Sequence, residues 1–192
     1  MRIIFIAFLG IFYFYGCGSQ TLSTYTLSPK LYKKRVVSSE FKNKSLRVEY
    51  PKGIKDTMGT KIYYKNSNLQ ESYYLYSQWS RSLNRIIMAS IVEILQNSNI
   101  FKMVVDYSST ADVDFTLESS VYKFEHRLDK GESFADISIE MRLLDATTNK
   151  VVKSKLFKYS TPCKSNDAKG FVEASNKSLE KLGEDMINWL ES

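Results

Sequence analysis

The sequence predicts one α+β domain, a two-layer arrangement in which a mostly antiparallel sheet is packed by two amphipathic helices. Three observations carry this. Residues 79–97 place Trp79, Leu83, Ile86, Ile87, Ile91, Ile94 and Leu95 on one face at three- and four-residue spacing, the period of a half-buried helix. Near the C-terminus, Phe171, Ala174, Ser175, Leu179, Leu182, Met186 and Leu190 repeat that stripe, with Trp189 near its edge. Between the two, Val113, Phe115, Leu117 and Val121, then Ala135, Ile137, Ile139, Met141 and Leu143, alternate with polar residues. Strands with one covered and one wet face show that alternation. Such elements bury their apolar sides by stacking as two layers.

The elements follow in order. Tyr25-Thr26-Leu27 predicts a first short strand, ended by Pro29, since proline cannot donate to a ladder. Leu46, Val48 and Tyr50 alternate with Arg47 and Glu49, a half-buried strand stopped by Pro51, and Gly53 to Gly59 reads as loop. Residues 61–65 and 72–76 are tyrosine-rich strands around an Asn66-Ser67-Asn68 turn, whose residues favour turns through their own side-chain hydrogen bonds. The helix over 79–97 takes Ser77 as its cap and stops at Asn97-Ser98-Asn99. Residues 100–106 form a buried strand. Asp129-Lys130-Gly131 turns the long hairpin, and residues 145–150 turn the next, into a less clearly sided strand at 151–157. Asn166 or Asp167 caps the closing helix.

The N-terminus has another character. Arg2 precedes an unbroken apolar run from Ile3 to Tyr15, followed by Gly16-Cys17 and then polar residues. A secretory signal has this order, with an apolar core of about 7–15 residues. The cysteine after a small residue resembles the bacterial lipobox, in which the thiol receives diacylglycerol and the mature chain starts at that cysteine. Phe14 and Tyr15 stand where such motifs carry leucine and a small residue. An uncleaved anchor is a rival reading, although the run is shorter than the roughly 20 residues a membrane-spanning helix needs. A signal cut elsewhere is a third. On the lipobox reading, residues 1–16 are the signal peptide, 17–44 a lipidated tether and lead-in, and 45–192 the single domain. Gly18 rather than Asp follows the cysteine, which by resemblance favours the outer membrane, with palmitate-type acyl chains as the anchor.

The net charge of +6 is moderate, and the basic residues are scattered apart from Lys33-Lys34-Arg35. That cluster reads as a solvated turn or as a contact for anionic headgroups. The export signal disfavours nucleic acid, and neither zinc-finger spacing nor an RNP-like motif occurs. Only two cysteines exist. With Cys17 acylated, Cys163 has no partner in the chain and reads as a free buried thiol.

Little in the sequence predicts chemistry. The single histidine, His126, reads as a surface or edge residue in a hairpin arm, and there is no G-x-S-x-G elbow. Asp112 and Asp114 read as a solvated face rather than metal ligands. No P-loop or G-x-G-x-x-G is present. The expectation is a protein without enzymatic activity, metal or cofactor. Tyr63, Tyr64, Tyr73, Tyr74 and Tyr76 are the candidate partner interface, because tyrosine combines apolar area with a polar tip. Tyrosine is also a good strand former, so the same residues admit a purely structural reading.

In sum of its elements the chain resembles the ABC-type transport auxiliary lipoprotein family, the group containing PqiC-type lipoproteins. The resemblance runs through Cys17, Tyr25-Thr26-Leu27, Leu46-Arg-Val-Glu-Tyr-Pro51, Ser77-Gln-Trp-Ser80, the hairpins from Phe115 to Phe157 and Asn188-Trp-Leu190. It implies a TolB N-terminal-like layout and a non-enzymatic, periplasm-facing envelope component. Its implied partners are an ABC permease and MCE-domain subunits that move phospholipid or other hydrophobic molecules, with the lipoprotein docking them to the outer membrane and possible self-assembly. A periplasmic lipid carrier, or a scaffold lipoprotein of an outer-membrane assembly complex, is the alternative.

Overall fold

The computed structural model describes residues 21–30, 39–53, 58–68 and 70–192. The expected signal peptide over residues 1–16, the expected acylation site Cys17, Lys33-Lys34-Arg35 and much of the expected Gly53–Gly59 loop lie outside the described residues. Within them the elements run β1 (Ser23–Tyr25), β2 (Ser45–Val48), β3 (Lys52–Gly53), β4 (Lys61–Asn66), β5 (Glu71–Trp79), α1 (Leu83–Ser98), β6 (Met103–Asp106), β7 (Phe115–Asp129), β8 (Glu132–Asp145), β9 (Val151–Pro162) and α2 (Ala168–Glu191). The α+β class holds.

Strand β7 organises the sheet. One of its edges pairs antiparallel with β8 from Phe115↔Asp145 to Asp129↔Glu132, and β8 pairs antiparallel with β9. Its other edge is shared by three short strands, all parallel to it. Leu46–Val48 of β2 lie opposite Phe115–Leu117, β3 lies opposite Ser120 and Val121, and Tyr64–Asn66 of β4 lie opposite His126–Leu128. Strand β6 extends the sheet beyond β2 in parallel, while β5 pairs antiparallel with β4 and β1 parallel with β5. The long strands are antiparallel as expected, but the sheet as a whole is mixed. Side-chain alternation reports which face is buried and not which way a neighbour runs.

The β7–β8 turn has Lys130 at φ 46° and Gly131 at φ 93°. Two consecutive positive φ values make the primed turn that matches strand twist. Further back, the register shifts between Val121 and Lys123. Leu117, Ser119 and Val121 are buried before the shift, Phe124 and His126 after it. One inserted residue flips every later side chain to the opposite face, and it is this bulge that turns His126 inward.

Helix α1 starts later than its apolar spacing predicts. Trp79 belongs to β5, opposite Tyr25, with its N–H on the Thr60 carbonyl at 2.7 Å. The N-cap is Ser82, without a side-chain cap bond, and Ser77 lies in the strand opposite Ser23. Trp79 is buried, as a helix position would also have left it, so its spacing fits both elements. The helix ends as expected, with Asn99 left-handed at φ 59°. Helix α2 follows its prediction closely. The Asp167 carboxylate accepts the Gly170 N–H at 2.8 Å, a standard N-cap bond, and every residue of the predicted apolar stripe is buried. Trp189 is buried too, edge-on to Phe157 at 5.9 Å. The helices touch where Gly183 meets Ile94.

The segment expected as a lead-in over 17–44 contributes to the fold. Beyond β1, Leu27 is buried, the Ser28 N–H bonds the Asn176 side chain at 2.7 Å and the Lys30 N–H bonds Glu180 at 2.9 Å. Phe41 is buried against Phe101 and Phe115. The domain therefore begins upstream of residue 45.

Candidate partner surface

The tyrosine hairpin is irregular in a way that sorts its side chains. Lys61 of β4 pairs with Gln78 and Tyr63 pairs with Tyr73. Four β5 residues, Tyr74 to Ser77, thus lie opposite Ile62 alone. Such a bulge re-aims side chains. Tyr74 goes inward: it is half-buried, packs on the core, and its hydroxyl lies 2.7 Å from His126 Nδ1. The Tyr64 ring lies 5.0 Å from it, also half-buried. Leu75 and Tyr76 go outward, 69% and 52% exposed. Tyr73 is exposed, with the Lys61 ammonium 3.9 Å above its ring, and Tyr63 is half-buried at 6.2 Å from Tyr73.

His126 is fully buried, which corrects its expected place at the surface. Its ring stacks on Phe171 at 5.3 Å and faces Tyr74 at 6.1 Å. Burial pushes the imidazole down to about 4, with Asp167 opposing weakly, because a desolvated ring disfavours its charged form. The same burial pushes the Tyr74 phenol well above its usual range. Nε2 is buried without a hydrogen-bond partner. The pair is built into the packing between Phe171 and the Tyr64 ring.

Tyr74→Phe is therefore expected to lower stability by about 1–2 kcal/mol, the usual effect of stranding a buried polar atom. Tyr76→Ala, on an exposed side chain, should change it by no more than about 0.5 kcal/mol. Urea denaturation of both variants checks the split, and equal losses would contradict it.

The other singled-out residues have structural places. Asp114 is no free carboxylate. It accepts from the Ser45 hydroxyl at 2.7 Å, the Ser45 N–H at 2.8 Å and Lys44 Nζ at 3.1 Å. These bonds, the Ser45 hydroxyl foremost, lower its pKa to about 2 and tie β2 to the start of β7. Among the described residues, no group of three His, Cys, Asp or Glu is placed to hold a metal ion. Cys163 is a free, half-buried thiol, and burial raises its pKa. A hollow of about 540 Å³ lies between β1 and α1, lined by Tyr25, Leu27, Arg81, Arg85, Ile86 and Glu93 among others. Its charged lining is unlike the apolar cavity that lipid carriage needs. Among the described residues no helix is long and apolar enough to cross a membrane.

Leu22 and Leu75 escaped the sequence reading. Leu22 is 50% exposed, immediately before β1. The Ser23↔Ser77 pairing sets it beside Tyr76 at the edge of the sheet. The unbroken apolar run Tyr73-Tyr74-Leu75-Tyr76 was the available signal, since a strand with one wet face would have interrupted it with polar residues.

The family model for the ABC-type transport auxiliary lipoprotein component matches residues 25–187. The chain belongs to this family. Among curated proteins none matches. Protein XCC0632 from Xanthomonas campestris is similar in structure, with a TM-score of 0.77 at 18% identity, covering 88% of this chain and 95% of that one. CT253 from Chlamydia trachomatis aligns with a TM-score of 0.53 at 9% identity, over 77% and 98% of the two chains. The PelC dodecamer from Paraburkholderia phytofirmans gives 0.52 at 10% identity, over 83% and 94%. At these identities the likeness is one of fold.

Proposed function

We propose that this family member is a non-enzymatic, acyl-anchored accessory component of an MCE-associated ABC system that moves phospholipid or other hydrophobic molecules. In this role it docks the periplasmic machinery to the outer membrane. The family match over residues 25–187 carries the reading, and Cys17, in its lipobox-like setting, supplies the anchor. Of the tyrosine set, exposed Tyr73 with half-buried Tyr63 remains available for protein contacts, whereas Tyr64 and Tyr74 serve chiefly in packing. The PelC neighbour is a dodecamer, and self-assembly of this chain belongs to the proposal.

The anchor acts at short range. Six residue steps separate Cys17 from the first strand residue, Ser23, a reach of at most about 20 Å. The acyl chains would thus hold the domain close to its membrane rather than on a long leash.

Purification of the tagged full-length protein from detergent-solubilised membranes, with mass spectrometry of what accompanies it, tests the role. Permease, ATPase and MCE subunits are expected. Phospholipid on the domain without any protein partner would replace docking by carriage. Cys17→Ala is expected to remain folded yet leave the outer-membrane fraction. Sedimentation of that variant with outer membrane would overturn the anchor.

A further inference from the structure

We propose that Leu22, Leu75 and Tyr76 form a bilayer-contacting corner, bedded in the interface of the membrane that holds the acyl chains. The inference rests on the acyl anchor proposed above and adds the surface that faces the lipid.

Three observations converge on this corner. The β5 bulge opposite Ile62 projects two adjacent large side chains, Leu75 and Tyr76, which are among the most exposed apolar groups described. Parallel pairing of Ser23 with Ser77 brings exposed Leu22 alongside them from β1. The described chain begins at Thr21, beside this corner, and Leu22 is five residues from Cys17 in sequence. Two leucines and a tyrosine suit the boundary between headgroups and acyl chains, where an aromatic ring keeps its hydroxyl wet while its body is buried.

The reach of the chain decides between lipid and protein as occupant. Five residue steps from Cys17 to Leu22 span at most about 18 Å. A folded domain of 100 residues has a radius of gyration of about 13 Å and is roughly 30 Å across. No such domain fits between this corner and the membrane. With Cys17 acylated, the corner is held within a chain's length of lipid, and the bilayer is the nearest apolar surface for its side chains.

The test uses full-length acylated protein carrying Cys163→Ser, so that a single introduced thiol takes an environment-sensitive fluorophore. One variant adds Leu75→Cys, the other Val152→Cys on the exposed edge strand β9. Both are reconstituted into vesicles of phosphatidylethanolamine and phosphatidylglycerol. The Leu75 label is expected to shift to the blue, lose quenching by aqueous iodide and gain quenching by nitroxide-bearing lipid, while the Val152 label stays wet. Equal iodide quenching at both sites on an acylated chain would overturn the proposal and leave the anchor standing. Shielding of the Leu75 label only on adding co-purified protein would overturn it in favour of a protein interface. A chain whose intact mass shows no acyl group, and whose Leu75 label stays wet, would overturn this proposal and the anchor together.

Discussion

Phe171→Ala is expected to destabilise the domain by about 3–5 kcal/mol, the usual range for deleting a buried phenyl ring. Phe171 is 1% exposed and sits on the first turns of α2. Its ring meets Trp79 at 6.1 Å, Phe124 at 6.0 Å and His126 at 5.3 Å. These three come from β5 and from β7 beyond its bulge, so one side chain joins the helix layer to two regions of the sheet. Edge-on aromatic contacts add to the area that each ring buries. Collapse around the lost ring is restricted, because its neighbours are themselves rigid aromatics anchored in strands. Domains of this size are stable by only about 5–15 kcal/mol in all, so the variant should lose a large fraction of its stability. With a urea slope of roughly 1–3 kcal/mol per M, the midpoint should fall by at least about 1 M. Leu156→Ala, on the exposed face of β9, should move it hardly at all. Comparable midpoints for the two variants would mean that the aromatic cluster is not the junction of the layers.

That junction shows how far the sequence could be read. Phe171 and the α2 stripe were legible because the helix repeats its period for 24 residues and Asp167 marks its start. Strands β7 and β8 were legible because their alternation is long. What escaped was whatever depends on one residue more or less. The bulge after Val121 reverses the inward face, so His126, outward by simple alternation from Leu117, is inward in the fold. The four-residue bulge in β5 does the same for Tyr74, and it separates that tyrosine from Tyr76 in role. Trp79 was ambiguous for a related reason: its position satisfies both the helix stripe and the end of a buried strand. Strand direction was illegible because β2, β3 and β4 reach β7 through long-range pairing, which leaves no trace in local periodicity. The candidate interface was accordingly legible as a region and not residue by residue. Leu22 and Leu75 became visible only once the bulge and the β1 pairing were known.

The buried histidine gives the second large effect, a loss of stability in mild acid. In the folded chain His126 titrates at about 4, whereas a solvated imidazole titrates near 6.5. Below about pH 6.5 the unfolded chain therefore takes up a proton that the folded chain refuses. Stability must fall as pH drops from about 6.5 toward 4, and this group then adds no further loss below its folded value. Above pH 7 both states hold the neutral ring and the group has no effect. The loss should be on the order of 2 kcal/mol by pH 4.5, after allowance for water relaxing around the ring. Carboxylates with lowered pKa values, such as Asp114 and Asp167, act in a lower window: their stabilisation is lost only as pH falls below about 4. The chain contains one histidine, so the upper window has a single side-chain owner. Urea midpoints at pH 7.5, 6.0 and 4.5 should decline in the native sequence. His126→Gln keeps a hydrogen-bonding group for the Tyr74 hydroxyl but cannot titrate, and its midpoints should be nearly flat over the same interval. A Gln variant that declines as steeply as the native chain would move the acid sensitivity elsewhere. It would also imply that the ring is more hydrated than its place between Tyr74 and Phe171 allows.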